Sequence, residues 1–243
     1  MGQYQLLHWL LRCLGRERRC LACTLIFQDE EANTLFCPDC VVAMPRKQRG
    51  FCPSCGEPAA WPELPLALCA YCLDEPPLWR DFIFHGPYEG LLRTLLITLK
   101  FRDRPFLGHA LGTLLATHPG FTALTADTVI PVPLHPSRLA RRGYNQAQEI
   151  ARPLARYLQL PLEPDMLSRV LPTAPQTSGS RNERKRNIRD AFAAREAVRG
   201  MHVLLVDDTL TTGATIAAAT RGLLANGAKS VSVAVVGRTL LHG

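Results

Sequence analysis

Two adjacent aspartates, Asp207 and Asp208, close the apolar run that begins at Val203, and Thr209, Leu210, Thr211, Thr212, Gly213, Ala214 and Thr215 follow at once. Two carboxylates at the end of a buried strand repel each other and lose hydration, so they need hydroxyls, amides or a metal ion to satisfy them. The threonine/glycine stretch that follows turns the chain into a helix. Its first-turn amides have no partner within the helix, and the positive end of the helix dipole stands behind them, which makes an anion cradle suited to a phosphate. Gly213 permits close backbone approach, and threonine hydroxyls add donors. Acceptors for vicinal hydroxyls beside a phosphate cup describe a sugar phosphate, with Asp207 and Asp208 on ribose hydroxyls and residues 211–215 on the 5′-phosphate. A strand followed by a capped helix is the plainer reading, but a cap needs only one Asp or Thr.

A second chemistry lies nearer the start. Eight of the nine cysteines fall in four CxxC pairs, Cys20/Cys23, Cys37/Cys40, Cys52/Cys55 and Cys69/Cys72. Thirteen residues separate the pairs in each half, and the second half repeats the first 32 residues later. Each pair can place two thiolates on one ion, so the set suffices for one or two tetrahedral structural Zn²⁺ sites. Duplication favours joining neighbouring pairs; interleaved pairing and an iron–sulfur cluster are the alternatives. Cys13 stands outside the repeat and reads as a small apolar residue.

Elements that could position these groups follow from periodicity. Residues 88–101 and 105–118 space their leucines for helices, 127–134 is a short apolar strand, and 143–160 reads as a helix with Pro153 as a kink. Residues 202–208 predict a buried strand, 212–228 a helix ended by Asn226 and Gly227, and 229–238 another strand. Strand, helix, strand with short connections implies a parallel sheet with crossover helices. Residues 168–190 are polar, basic and rich in turn residues, the composition of a functional loop. Pro76 and Pro77 mark the border between the cysteine-rich part and the rest.

Apolar content of 47% and charged content of 20% are those of an ordinary globular protein. No apolar run approaches the roughly 20 residues of a membrane span, and Leu6 to Leu11 lacks the flanks of a secretory signal, so a short amphipathic helix and a cytoplasmic protein with reduced thiols are expected. Net charge is +7, and all of the excess lies in residues 135–200, with 13 Lys/Arg against 6 Asp/Glu. That segment reads either as a face for something anionic or as a solvated basic surface.

VLLVDDTLTTGAT resembles the phosphoribosyl pyrophosphate motif of type I phosphoribosyltransferases. Together with the CxxC pairs, YEGLLRTLLITLKF, PVPLHPSRLARRGYNQA and TAPQTSGSRNERKRNIRDAF, in that order, the chain resembles the ComF competence proteins across nearly all of residues 20–238. The resemblance implies an α/β fold of the type I phosphoribosyltransferase kind, a Rossmann-like parallel sheet with crossover helices. It places a small cysteine-rich zinc-binding module in residues 1–78 and the phosphoribosyltransferase-like domain in residues 79–243. It also implies that Asp207 and Asp208 hold the ribose and that residues 209–215 hold the 5′-phosphate. Arg138, Arg142, Asn145 and Gln146 would serve the diphosphate, and Gln176, Arg181, Arg184 and Asn187 would lie on a closing loop. Ser178-Gly179 stands where the family more often has Gly-Leu.

The activity so implied is Mg²⁺-dependent binding of phosphoribosyl pyrophosphate or a related ribose phosphate, with pentosyl transfer to an acceptor that no motif identifies. The same resemblance implies a part in DNA uptake during natural transformation. The alternative to an enzyme is therefore an adaptor that binds single-stranded DNA and works with the competence helicase. No helix-turn-helix pattern supports a transcriptional regulator.

Overall fold

The computed structural model describes residues 17–28, 35–59, 67–170 and 191–239. In the cysteine-rich part, β1 (Glu17–Arg19) pairs antiparallel with β2 (Ile26–Gln28), and two short helices follow, α1 (Pro38–Val42) and α2 (Ala70–Asp74). Each helix begins directly after a cysteine, so its first turn carries the second cysteine of a CxxC pair back toward the first. The expected N-terminal helix lies outside the described residues.

The rest of the chain runs β3 (Phe82–Pro87), α3 (Gly90–Phe101), α4 (Phe106–Ala116), β4 (Thr128–Pro131), α5 (Pro136–Arg142), α6 (Gln146–Leu158), β5 (Leu167–Arg169), β6 (Phe192–Ala194), β7 (His202–Leu210), α7 (Ala214–Ala225) and β8 (Ser230–Arg238). Strands β3, β8, β7 and β4 form a parallel sheet in that order, with β7 in the interior. The pleat sorts the side chains between two cores. Val129, Leu204, Val206, Ala234 and Val236 face α3, α4 and α6, whose Leu96, Leu99, Leu111, Leu115, Ile150 and Leu154 are buried against them. Ile130, Val203, Leu205, Val233 and Val235 face α7 and the β5/β6 hairpin through Ile216, Leu223, Leu167 and Phe192. Gly108 and Gly112 let α4 lie directly on α6: a Cβ on Gly112 would stand 2.2 Å from the Ile150 carbonyl oxygen and 2.6 Å from Pro153. The Pro153 ring is thus part of a helix contact.

Several elements depart from the sequence pattern, the short strands β5 and β6 among them. The strand predicted over 127–134 ends at Pro131, and beyond it the Val132 amide still donates to the Val206 carbonyl at 2.8 Å. Strand β7 runs two residues past Asp208, held by pairing of Thr209 with Gly237 and Leu210 with Arg238. Strand β3 was not among the expected elements; its FIFHGP is short and ends in Gly-Pro.

The cysteine-rich part packs on the β3 edge of the sheet. Cys20, Cys37, Cys40 and Met44 share the core of α3 on one face, and Phe51 packs edge-on against Phe84 on the other, ring centroids 4.9 Å apart. Between them the chain crosses the edge strand, where the Lys47 amide donates to the His85 carbonyl at 2.8 Å and the His85 ring meets the Met44 carbonyl at 2.8 Å. The change in composition near residue 78 therefore crosses a continuous core.

Candidate functional site

Because Asp207 and Asp208 lie within a strand, the pleat sends them to opposite faces of the sheet. Asp208 takes the face of Leu204 and Val206, where the last turn of α3 brings Lys100: its ammonium is 3.1 Å from Asp208 Oδ2 and donates to Thr209 Oγ1 at 2.9 Å. Thr209 in turn donates to Asp208 Oδ1 at 2.9 Å. Burial pulls the Lys100 ammonium down, but the Asp208 charge and hydrogen bond outweigh it and hold the lysine above its usual range. Asp207 takes the other face, toward Arg169 at the end of β5. Its Oδ1 accepts the Asp208 amide at 2.8 Å. Burial, then the neighbouring Asp208 charge, push Asp207 up to about 8. A carboxylate so placed favours a partner that stabilises its ionised form, such as a hydroxyl donor or a cation.

Beyond β7, residues 211–213 turn the chain into α7. Gly213 is the residue before the helix and has φ of +77°, the left-handed region that glycine enters at no steric cost. Thr211, Gly213 and Thr215 line a cleft of about 360 Å³ at the carboxyl end of the sheet, together with Asp207, Asp208, Thr209 and Leu210. Thr212 and Ala214 belong to the turn but do not line the cleft.

The opposite wall is cationic. Arg138 and Arg142 of α5 reach it, as do Gln146 at the start of α6 and Arg169 from the hairpin. Burial lowers the Arg169 guanidinium, and the like charge of Arg138 lowers it further. Arg142 is lowered by burial, partly offset by Asp208, and its guanidinium donates to Gln146 Oε1. Guanidiniums crowded in this way favour a polyanion between them.

Asn145 has another task. It is buried as the N-cap of α6: its Oδ1 accepts the Ala147 amide at 3.1 Å and its Nδ2 donates to the Val132 carbonyl at 3.0 Å. Both ends of its amide thus tie α6 to the end of β4, which makes Asn145 a support of the cleft wall, behind the residues that line the cleft. Gln176, Arg181, Arg184 and Asn187 lie outside the described residues.

Lys100, Phe101 and Arg169 line the cleft without having been singled out in the sequence. Lys100 carried a signal: it is a lysine ending a leucine-spaced helix beside a ring, and it lies 5.9 Å from the centre of Tyr88. Arg169 carried none, being one arginine in a basic stretch.

The cysteines form two clusters, Cys20, Cys23, Cys37, Cys40 and Cys52, Cys55, Cys69, Cys72, with all four sulfurs of each within 4.8 Å of one another. Neighbouring pairs therefore join, and the interleaved alternative is excluded. A Zn–S bond of about 2.3 Å implies a tetrahedral S···S edge of about 3.8 Å. The Cys23–Cys37 and Cys55–Cys69 sulfurs are 3.6 and 3.7 Å apart, so both sets fit zinc. Burial raises the Cys20 thiol, but amides of Cys23, Cys37 and Ala22 outweigh it and bring it down to about 6, whereas burial and the neighbouring cysteines push Cys40 up.

An acidic pair near the carboxyl end of an interior parallel strand, followed by a threonine/glycine turn into a helix, defines a phosphoribosyltransferase-type domain. The chain matches the phosphoribosyl transferase domain family over residues 139–239. More narrowly, it belongs to the ComF family. It is 37% identical over 209 residues, 84% of this chain and 90% of the relative, to the DNA utilization protein YhgH of Salmonella typhimurium. It is 31% identical over 179 residues, 70% and 78% of the two chains, to Competence protein F of Haemophilus influenzae. Identity to Competence protein ComFC of Bacillus subtilis is 28% over 236 residues, 88% and 91% of the two chains. No helix among the described residues is long and apolar enough to cross a membrane.

Proposed function

We propose that the cleft binds phosphoribosyl pyrophosphate or a closely related ribose phosphate and transfers the pentosyl group to an acceptor. The observation that carries this reading is the set of groups lining one cleft: the turn residues Thr211, Gly213 and Thr215, buried carboxylates at Asp207 and Asp208 with Lys100 on Asp208, and the guanidiniums of Arg138, Arg142 and Arg169. That set matches a 5′-phosphate, vicinal ribose hydroxyls and a diphosphate.

Residues of this chain would act as follows. Amides at Thr211, Gly213 and Thr215, with the Thr211 and Thr215 hydroxyls, hold the 5′-phosphate. Asp207 accepts from a ribose hydroxyl and is ionised as it does so. Asp208, fixed by Lys100 and Thr209, completes the acceptor pair. Arg138, Arg142 and Arg169 bind the leaving diphosphate and stabilise the charge it gains as the bond to ribose C1 loosens toward an oxocarbenium-like transition state. Magnesium entering with the diphosphate would neutralise part of its charge. No side chain needs to become covalently attached.

A nucleic-acid role is the second reading, favoured by two exposed aromatic rings, of which Phe101 lines the cleft. Phe101 is 70% exposed with Arg142 5.6 Å from its centre, and Phe106 is 47% exposed with Arg104 at 6.0 Å. Rings flanked by guanidiniums stack unpaired bases. The relatives are named for DNA utilization and competence, and the reading extends to a helicase partner and a cytoplasmic location.

Calorimetric titration of the zinc-loaded protein with phosphoribosyl pyrophosphate, with and without Mg²⁺, beside oligo-dT, tests both. Magnesium-dependent binding that is lost in Asp207→Ala/Asp208→Ala supports the first. Binding of oligo-dT alone, with steep salt dependence, overturns it in favour of the adaptor.

A further inference from the structure

The second cysteine cluster lies beside the anion-binding turn, and two side chains join them. Arg238, the last residue of β8, is 2% exposed. Its Nε donates to the Cys55 carbonyl at 2.6 Å and its Nη2 pairs with Glu57 Oε2 at 3.0 Å. Its Nη1 donates to the Thr211 carbonyl at 2.7 Å and reaches the Leu210 carbonyl at 3.3 Å. One planar guanidinium thus spans from the CxxC turn to the residues that begin the anion cradle. Trp79 makes a parallel connection. Its indole N–H donates to the Ser54 carbonyl at 2.7 Å, and its ring edge stands 3.6 Å from where a Cβ of Gly213 would be.

The geometry has a local cause. When the Cys52–Cys55 turn closes, the Cys55 amide faces the Cys52 sulfur and the Gly56 amide donates to the Cys52 carbonyl at 2.8 Å, which turns the carbonyls of Ser54 and Cys55, at the other side of the same two peptide planes, outward. Those two carbonyls are the ones Trp79 and Arg238 take. The turn is pressed onto them by Gly56, φ +72°, where a Cβ would meet Phe82 at 2.9 Å and the Arg238 stem at 3.1 Å. The first cluster sits on the opposite face of the sheet, among the leucines of α3.

We infer that the Cys52–Cys72 cluster braces the anion-binding turn, with Arg238 and Trp79 as the positioning residues that transmit its shape. The inference rests on the reading of residues 211–215 as a phosphate cradle. When the thiolates hold their metal, the carbonyls of Ser54 and Cys55 are fixed, the guanidinium is fixed on them, and the carbonyls of Leu210 and Thr211 are fixed in turn. This orients the amides of residues 211–215 before any anion arrives.

The test is hydrogen exchange by mass spectrometry on the full zinc-loaded chain, followed by titration with phosphoribosyl pyrophosphate. Arg238→Met should keep both metals yet exchange amides of residues 210–216 about tenfold faster and bind the ligand about tenfold more weakly. Arg238→Lys, which keeps the charge for Glu57 and a single donor nitrogen, should recover part of both. Trp79→Phe, which removes one N–H and leaves the ring, serves where Arg238→Met does not fold, and should loosen the same peptide. Cys52→Ser/Cys69→Ser should reproduce the effect and Cys20→Ser/Cys37→Ser should not. Unchanged exchange and affinity in Arg238→Met and Trp79→Phe overturn the brace, as does exchange that rises equally in α3 and α4. If the wild type binds no phosphoribosyl pyrophosphate while Arg238→Met still loosens the turn, the brace stands and the ligand assignment falls.

Discussion

Replacing Lys100 with Met removes the ammonium from Asp208 while keeping most of the side chain's volume. Asp208 is 5% exposed in its side chain and Lys100 19%, so the pair is largely out of water. Removing one partner of a buried pair leaves the other charge uncompensated and costs about 3–5 kcal/mol. The part of Lys100 that reaches solvent places this pair at the lower end, about 3 kcal/mol. In a chain of this size each kcal/mol lowers the melting temperature by about 2–4 °C, so a fall of about 6–12 °C is expected at neutral pH. The double variant Lys100→Met/Asp208→Asn should recover most of the loss, since no charge is then stranded, whereas Asp208→Asn alone leaves the lysine facing a neutral amide. Urea denaturation of the four proteins completes the cycle. A loss below about 1 kcal/mol for Lys100→Met, or additive effects in the double variant, would refute the reasoning, because either outcome means the charges do not sense each other.

Three further outcomes are expected. Asp207 has a raised folded-state value, about 8 against an ordinary 3.8; its contribution to stability is complete below the ordinary value and is lost as pH rises through about 8. A ligand that favours its ionised form should therefore release a proton between about pH 6 and 8 and bind more tightly as pH rises; calorimetry in buffers of different ionisation heat reads this, and Asp207→Asn should abolish it. Elemental analysis should find two zinc ions per chain, as the two clusters require, and Cys37→Ser should leave one. Gly112→Ala should destabilise by about 3 kcal/mol or more, since α4 and α6 must part to admit the methyl; Gly143→Ala, at φ +81° with open space around it, should cost only about 1 kcal/mol in a thermal melt.

The site was legible where its residues are contiguous. From Val203 to Thr215 one run of sequence encodes the strand, the acids and the turn, so the reading needed no long-range contact. The repeat of CxxC pairs likewise favoured the neighbouring pairing, which the two clusters show. What the sequence did not reveal depends on distant segments meeting: Lys100 reaches Thr209 across 109 positions, and Arg169 arrives on a hairpin whose strands are too short to show a period. The capping task of Asn145 was not visible because a helix-capping asparagine and a ligand-binding one look alike until both ends of the amide are traced. The acids were seen as neighbours, and only the length of β7 shows that the pleat parts them and gives each its own counter-charge.

The way the cysteine-rich part straddles β3 bears on how the protein fails. Strand β3 is the outer member of the sheet, and an uncovered outer strand is a template for pairing with another chain. Here one cluster lies against each face and the crossing segment occupies the rim, with the Lys47 amide on the His85 carbonyl. Metal depletion would uncover the apolar FIFH rim while the sheet behind it stays folded. The product to look for is an ordered self-assembly growing by strand addition, arising from a nearly native state and dependent on protein concentration, and it should be slowed by prolines or lysines placed in β3.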